Sequence, residues 1–466
     1  MLICVIGAGG AAKSGEKVEA PANWKPVAGQ ELDEPQQLYP TNGVLTVDLT
    51  AKRRVIDVSG APIRAQPFGN SLIGPTMHVS PGDTLKTVVD NRTSEMTNIH
   101  FHGMHVSPKG HGDNVFRMFR PGTKSHSEIQ IPLDHEPGTY WYHVHMHGST
   151  EEQVMGGMTG LLIVDGLEDR LPPELQGITE RQLAIRDLET KGGSVIMNAA
   201  KIDPAGPTTR LVDAQLQPTM SIGSGETQLW RIANVGADLF YDIELEGHTF
   251  TVLGEDGDPR WDVVQQDHLV LPPGKRFDVL VQGGAPGTYN LITREFDEGF
   301  QRLPTTKLAS VEVTGPPAQP TTNLPTSMNS TAGELTNAPI ARKRRFVFTL
   351  DTKGGGFKAE INGETFDPNV VNVRAQLGTV EQWTLVNHSS EDHPFHIHVN
   401  DFQVMSVNGK PYDAHGLQDV VIIPKNGGKV VIRNPFLDFT GEFVFHCHIL
   451  GHEDAGMMQT VKVVRG

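Results

Sequence analysis

Ten of the 20 histidines in the chain fall in four short clusters. They are His100-Phe101-His102-Gly103, His143-Val144-His145, His393-Pro394-Phe395-His396-Ile397-His398, and His446-Cys447-His448 with His452 and Met457 following. Along a strand, residues i and i+2 face the same way and lie ~6.6 Å apart, so each His-x-His pair can present two imidazoles to one side. Four pairs (His100/His102, His143/His145, His396/His398 and His446/His448) offer eight neutral nitrogen donors, which suit copper, zinc or iron far better than calcium or magnesium. One such pair on an exposed strand is an ordinary coincidence. Four pairs, one of them enclosing a cysteine, are not.

Cys447 sits between His446 and His448, so its side chain is expected on the opposite face of the strand, where it needs partners of its own. His393 and His452 can supply two nitrogens and Met457 a weak axial thioether, which together make the His₂Cys plus Met set of a blue copper centre. Zinc hydrolysis would leave Cys447 and Met457 without a role. A one-electron metal at Cys447 would lie one residue from ligands of a multi-metal cluster on either side. Such a cluster could collect four electrons and deliver them to dioxygen without releasing partly reduced oxygen.

These residues need elements to hold them, and the sequence repeats itself in a way that supplies those elements. Pro81-Gly82-Asp83-Thr84-Leu85 leads by alternation to Asn91, Gly225-Glu226-Thr227 leads through Trp230 to Asn234, and Gly378-Thr379-Val380-Glu381 leads through Trp383 to Asn387. The copies are spaced by about 145 to 155 residues, the size of one domain. Strands opening on a glycine turn at Gly138, Gly287 and Gly441 recur in the last third of each copy. Short alternating strands between turn signals point to an all-β protein of three tandem β-sandwiches. The 466 residues, with 50 Gly and 32 Pro, agree with about three domains rich in turns. The expected division is an extension over 1–37, domains over 38–168, 176–313 and 341–466, and a Pro/Thr/Ser/Asn-rich linker over 314–340. All four histidine clusters lie in the first and third copies.

The formal charge of −16 disfavours nucleic acid and anionic lipid surfaces as partners. Two cysteines, Cys4 and Cys447, are too few for a disulfide framework. The apolar run Leu2–Ala12 is far shorter than the ~20 residues of a membrane span. It is readable as the remnant of a trimmed export signal, and a periplasmic or secreted location is the expectation.

In their order and position the four motifs resemble those of the multicopper oxidases, the family of laccases, ascorbate oxidase, bilirubin oxidase and bacterial copper-efflux oxidases, from about residue 40 to the end. The resemblance implies three cupredoxin-like Greek-key β-sandwich domains and four coppers. A type 1 copper would take His393, Cys447, His452 and Met457, and a type 2 copper His100 and His396. A type 3 pair would take His102, His143, His145, His398, His446 and His448. No ligand position of the family pattern is missing. Met457 resembles bacterial members more than the fungal laccases with Leu or Phe there, which implies a lower type 1 potential. Asp113 and Glu453 resemble acids that relay protons to the cluster, so the catalytic set implied is Asp113, Glu453, Cys447 and His452.

The function implied is a laccase-like oxidase that takes single electrons from phenols or aromatic amines and reduces dioxygen to water. A cuprous oxidase and a blue-copper electron carrier are the alternatives; copper nitrite reductase would leave most of the eight imidazoles without a purpose. A monomer is the default for the oligomeric state. His78, His126, His135, His248, His268, His388 and His415 are assigned no role. His105, His111 and His147 are either partners of the ligands or loop residues. Met146, Met155 and Met158 are read as core filling rather than soft contacts to cuprous ions.

Overall fold

A computed structural model describes residues 23–198, 201–202, 206, 208–351 and 357–466. The run Leu2–Ala12 and Cys4 lie outside the described residues. The described chain is nearly all-β, and its sheets repeat one plan three times. In the first copy Val44–Ala51 pairs parallel with Thr84–Asn91; in the second, Glu180–Leu188 with Thr227–Asn234; in the third, Ile340–Asp351 with Thr379–Asn387. The segments that repeat in the sequence are therefore the second member of each parallel pair. Parallel neighbours need a crossover, and in every copy it passes through a strand of the facing sheet: Thr76–Val79, Thr219–Gly223 or Val373–Gln376. The glycine-led strands Gly138–His143, Gly287–Thr293 and Gly441–Cys447 lie in that facing sheet, each antiparallel to the strand that closes its copy.

Alternation explains how the faces are sorted. Leu45, Val47, Leu49 and Ala51 point into the first core while Val44, Thr46 and Asp48 face solvent. Thr227–Asn234 is buried on both faces, as a strand wedged between layers must be. The second and third copies share one continuous apolar core centred on Trp230 and Trp383, and the first has its own.

The asparagine that ends each repeat does the same work three times. Its amide donates to two carbonyls: Asn91 to Glu95 and Phe119, Asn234 to Leu239 and Leu271, Asn387 to Glu391 and Ile423, all between 2.7 and 3.0 Å. A buried side-chain amide that satisfies carbonyls of neighbouring segments fixes the exit of the strand, which gives the repeat a physical reason.

Among the described residues two short α-helices interrupt the β pattern, Thr150–Met155 and Leu450–Asp454, each following a His-x-His strand. They lock the first copy to the third. Asp454 accepts hydrogen bonds from the backbone N–H groups of Thr150 and Glu151 at 2.9 Å, so a carboxylate of one helix caps the start of the other. Between Thr314 and Ile340 the chain runs without a strand of its own, tied down where Glu136 accepts from Thr331 and Ser330 and where Trp261 donates to the Ala332 carbonyl.

Candidate metal centres

His446 and Cys447 end a strand whose neighbour carries His393 and His396, in a register that places Phe395 opposite Cys447 and His396 opposite His446. Successive side chains leave opposite faces, so Cys447 turns into the third copy while His446 and His448 turn toward the first. The Cys447 Sγ lies 3.6 Å from His393 Nδ1 and 3.7 Å from His452 Nδ1. Those distances leave room for one ion between the three donors, all of which are buried. Met457 is buried beside them, and its backbone ties the group together: Cys447 N donates to Met457 O, and Met457 N to His452 O. The far nitrogen of His393 meets the Ser389 hydroxyl at 2.7 Å. Burial pushes the Cys447 thiol well above its usual range, so its thiolate needs a cation beside it.

On the other side of the strand the eight imidazoles of the four pairs converge, each at most 1% exposed. Their hydrogen bonds show which nitrogen each can give to a metal. A carbonyl can only accept, so His143 carries its proton on Nδ1 toward Val144 O (2.7 Å), His396 on Nδ1 toward Asp419 O (2.9 Å), and His446 on Nδ1 toward Cys447 O (3.0 Å). His100 Nδ1 is held by Asp113 at 2.9 Å, and His102 Nε2 by Asp419 at 3.2 Å. The remaining nitrogens face one another. His145 Nε2 and His446 Nε2 are 3.2 Å apart, His398 Nε2 and His446 Nε2 3.3 Å, and His448 Nε2 and His102 Nδ1 3.2 Å. The Nε2 atoms of His100, His143 and His396 are buried with no partner. Lone pairs aimed at lone pairs in a dry site are costly unless cations sit among them, and this donor set fits a cluster of coppers.

Electrostatics agree. Burial, and then the neighbouring imidazoles, push His100, His102, His145, His398 and His448 well below the usual histidine range, and burial lowers His143 to about 3. These rings stay neutral at any working pH, the form that ligates.

The two acids singled out from the sequence both touch ligands. Asp113 accepts from Phe101 N and holds His100; burial raises its carboxyl to about 8 against that one hydrogen bond. Glu453 lies 3.4 Å from His145 Nδ1 and 3.1 Å from His446 Nδ1, accepts from the Thr150 hydroxyl at 2.8 Å, and is pushed well above the carboxylate range, chiefly by burial. It also lines a cleft of about 1250 Å³ between the first and third copies.

Asp419 escaped the sequence reading. It belongs to no motif, and the only trace of it is an acid leading straight into the apolar run Val420–Ile423. Of the nearby histidines, His147 shares the Glu453 cleft, its ring 5.8 Å from His145, while His105 bonds Val399 O and Asp438. His111 bonds the His126 carbonyl and stacks on the His126 ring at 4.2 Å. Met155 and Met158 are core residues, and Met146 sits at the edge of the core in the cleft.

Three β-sandwiches of one plan, with a His₂Cys set back to back with an eight-imidazole cluster, define a copper redox protein. Residues 52–169, 174–314 and 316–466 each match a multicopper oxidase family model. The chain belongs to the multicopper oxidase family. It is 27% identical over 404 residues to multicopper oxidase mco of Staphylococcus haemolyticus, covering 85% of this chain and 83% of that protein. It is likewise 27% identical over 465 residues to multicopper oxidase MmcO of Mycobacterium tuberculosis, covering 91% and 88%. The cell division protein FtsP of Dickeya dadantii is 26% identical over 84% of this chain and 83% of its own length, so the name borne by a relative does not by itself fix an activity. Among solved structures, a multicopper oxidase from Campylobacter jejuni described as a metallo-oxidase superposes with a TM-score of 0.82 at 25% identity, covering 96% of this chain and 99% of that one. This chain is a copper-dependent oxidoreductase that acts on small reductants with dioxygen as acceptor.

Proposed function

We propose that the chain is a laccase-like oxidase whose donors are small phenols and aromatic amines. The observation that carries this is a pocket of about 440 Å³ against the outer edge of His452. Its walls include Phe300, Phe357 and Ile449, with the Phe357 ring 5.6 Å from the His452 ring, a surface on which a flat donor can lie. Its polar lining is acidic: Glu151, Asp238, Glu298, Glu391 and Asp454. Burial keeps Glu298 and Glu151 protonated at neutral pH, raising them to about 8 and about 11, so the pocket offers hydrogen-bonding groups to a phenol or an aromatic amine.

Oxidation of an aromatic amine or a phenol releases a proton with the electron. Glu391 Oε2 lies 3.6 Å from His452 Nε2, and burial raises its carboxyl to about 7, so it can take that proton near neutral pH. His452 would accept the electron at its outer edge, which faces the pocket, and the covalent path from Cys447 to His446 and His448 would carry it through the strand. In this reading the type 1 site is His393, Cys447, His452 and Met457, the type 2 ligands are His100 and His396, and the other six imidazoles hold the type 3 pair. Copper bound there would supply the one-electron steps and the reduction of dioxygen to water. Asp113 would accept the His100 Nδ1 proton, which leaves Nε2 to the metal, and would relay protons from that place, while Glu453 would pass protons from the cleft to the His145 and His446 side.

A cuprous oxidase is the second reading, favoured by the same carboxylates, which also suit a metal ion. Steady-state oxygen uptake with a bulky aromatic amine, a phenol and Cu(I) separates the two. Fast uptake with the organic donors is expected; fast uptake with Cu(I) alone would end the laccase reading.

A further inference from the structure

The second domain carries no histidine of the four clusters, yet one of its arginines reaches the cluster. Arg276 opens the strand Arg276–Gln282 and is fully buried. Its five N–H groups are all used. Nε donates to Thr139 O at 3.1 Å in the first domain, Nη1 to Gly274 O at 3.0 Å, and Nη2 to Asp256 O at 2.5 Å. The remaining two close a fork on the carboxylate of Asp419 in the third domain, at 2.7 and 2.8 Å. Asp256 braces both ends: it accepts from Arg276 N and from the backbone N–H groups of Asp419 and Val420, all at 3.0 to 3.1 Å.

Asp419 then touches two imidazoles of the cluster. Its Oδ1 is 3.2 Å from His102 Nε2, and its carbonyl accepts from His396 Nδ1. A carboxylate forked by a guanidinium is an ionised acceptor, so His102 carries its proton on Nε2 and turns the lone pair of Nδ1 toward His448. Two glycines permit the approach. A Cβ at Gly103 would overlap the Arg276 guanidinium, and one at Gly274 would lie 3.0 Å from His448 Cδ2 and 3.1 Å from His102 Cε1.

We infer that Arg276 of the second domain is a positioning residue for the copper cluster, fixing through Asp419 the tautomer of His102 and the ring of His396. The inference rests on the copper assignment proposed above. It gives the ligand-free domain a task that a spacer would not have.

The test is copper retention under a chelator, read by elemental analysis beside the visible absorption of the type 1 site and the electron paramagnetic resonance of the type 2 site. Arg276→Met should keep the type 1 absorption and lose copper from the cluster, with retention about 10- to 100-fold weaker, the usual cost of removing a residue that orients a ligand. Its type 2 resonance should change. Arg276→Lys keeps the charge without the fork and should fall between. The control is Arg231→Met. Arg231 is equally buried in the same domain and paired with Asp278 and Glu180, and it touches no cluster histidine. It should lower the thermal midpoint and leave copper in place.

The inference is overturned if Arg276→Met retains copper and resonance like the parent, or if both arginine variants lose copper alike. Should Arg276→Met fail to fold, Asp419→Asn carries the same expectation and the same overturning result. A parent chain that binds only the type 1 copper would sink the proposed function and the clamp with it. A fully loaded parent with an unaffected Arg276→Met sinks the clamp alone.

Discussion

The first and second domains share a ladder and differ in what they hang on it. In the first, Gly138–His143 pairs with His100–His102 so that His100 faces His143 across the strands. In the second, Gly287–Thr293 pairs with Tyr241–Leu245 in the same sense, and the facing residues are Ile243 with Thr293 and Leu245 with Leu291. Imidazoles at the strand end make a ligand-bearing edge, whereas Tyr241, Ile243 and Leu245 at the matching place make core. The difference teaches that the sandwich is indifferent to metal. It fixes where a side chain points, and the residue type decides whether that point is a donor or a packing contact.

The sharpest break of this comparison is Cys447→Ser, which removes the one soft donor and leaves the ladder intact. Oxygen uptake should fall to the level of the copper-free protein and the visible absorption should vanish. A folded, copper-replete variant with parental turnover would end the assignment.

The second domain also reaches the type 1 pocket, through Glu298, whose carboxyl burial raises from the usual 4.5 to about 8. The native chain therefore keeps a proton there that the unfolded chain has released. The stability tied to that proton is full below about pH 4.5 and lost as pH rises through about 8, about 5 kcal/mol at most. Glu298→Gln should unfold with the parent at pH 4 and at a higher temperature than the parent at pH 9. Equal thermal midpoints at both pH values would refute it.

Glu453→Gln tests the ligand-bearing side, because it keeps the Thr150 contact and removes the transferable proton. Turnover should drop about 100-fold with the type 1 absorption unchanged. Reduction of the type 1 site by donor, followed by stopped flow, should stay at the parental rate, so a slowed reduction would speak against a role in proton delivery.

The smallest effect compares the asparagine clamps. Asn234→Ala and Asn387→Ala each remove two hydrogen bonds to backbone carbonyls and should each cost about 2 kcal/mol in denaturant unfolding. Only the second sits beside the His393 loop, so only Asn387→Ala should also shift the type 1 absorption.

Much of this was legible in the sequence because the signals are local. A His-x-His pair and a glycine turn followed by alternation are patterns of a few residues, and they gave the three sandwiches and every imidazole that converges in the structure. What stayed hidden is carried by long-range placement. Arg276 meets Asp419 across 143 residues, and nothing near either residue marks the other. The acids around His452 come from Glu151, Asp238, Glu298 and Glu391, four separate stretches of chain. The helices Thr150–Met155 and Leu450–Asp454 span six and five residues, too short for a helical period to show. The parallel pairing within each copy was invisible for a similar reason, since alternation tells which face is buried and not which strand lies alongside.

His102 and His448 meet 3.2 Å apart across 346 residues of chain. During synthesis, therefore, the oxygen-reducing site has no existence until almost the last strand has emerged and docked. A nascent or proteolytically shortened polypeptide could fold its early sandwiches and still offer copper nothing but scattered imidazoles, which makes metal loading a finishing step of biogenesis.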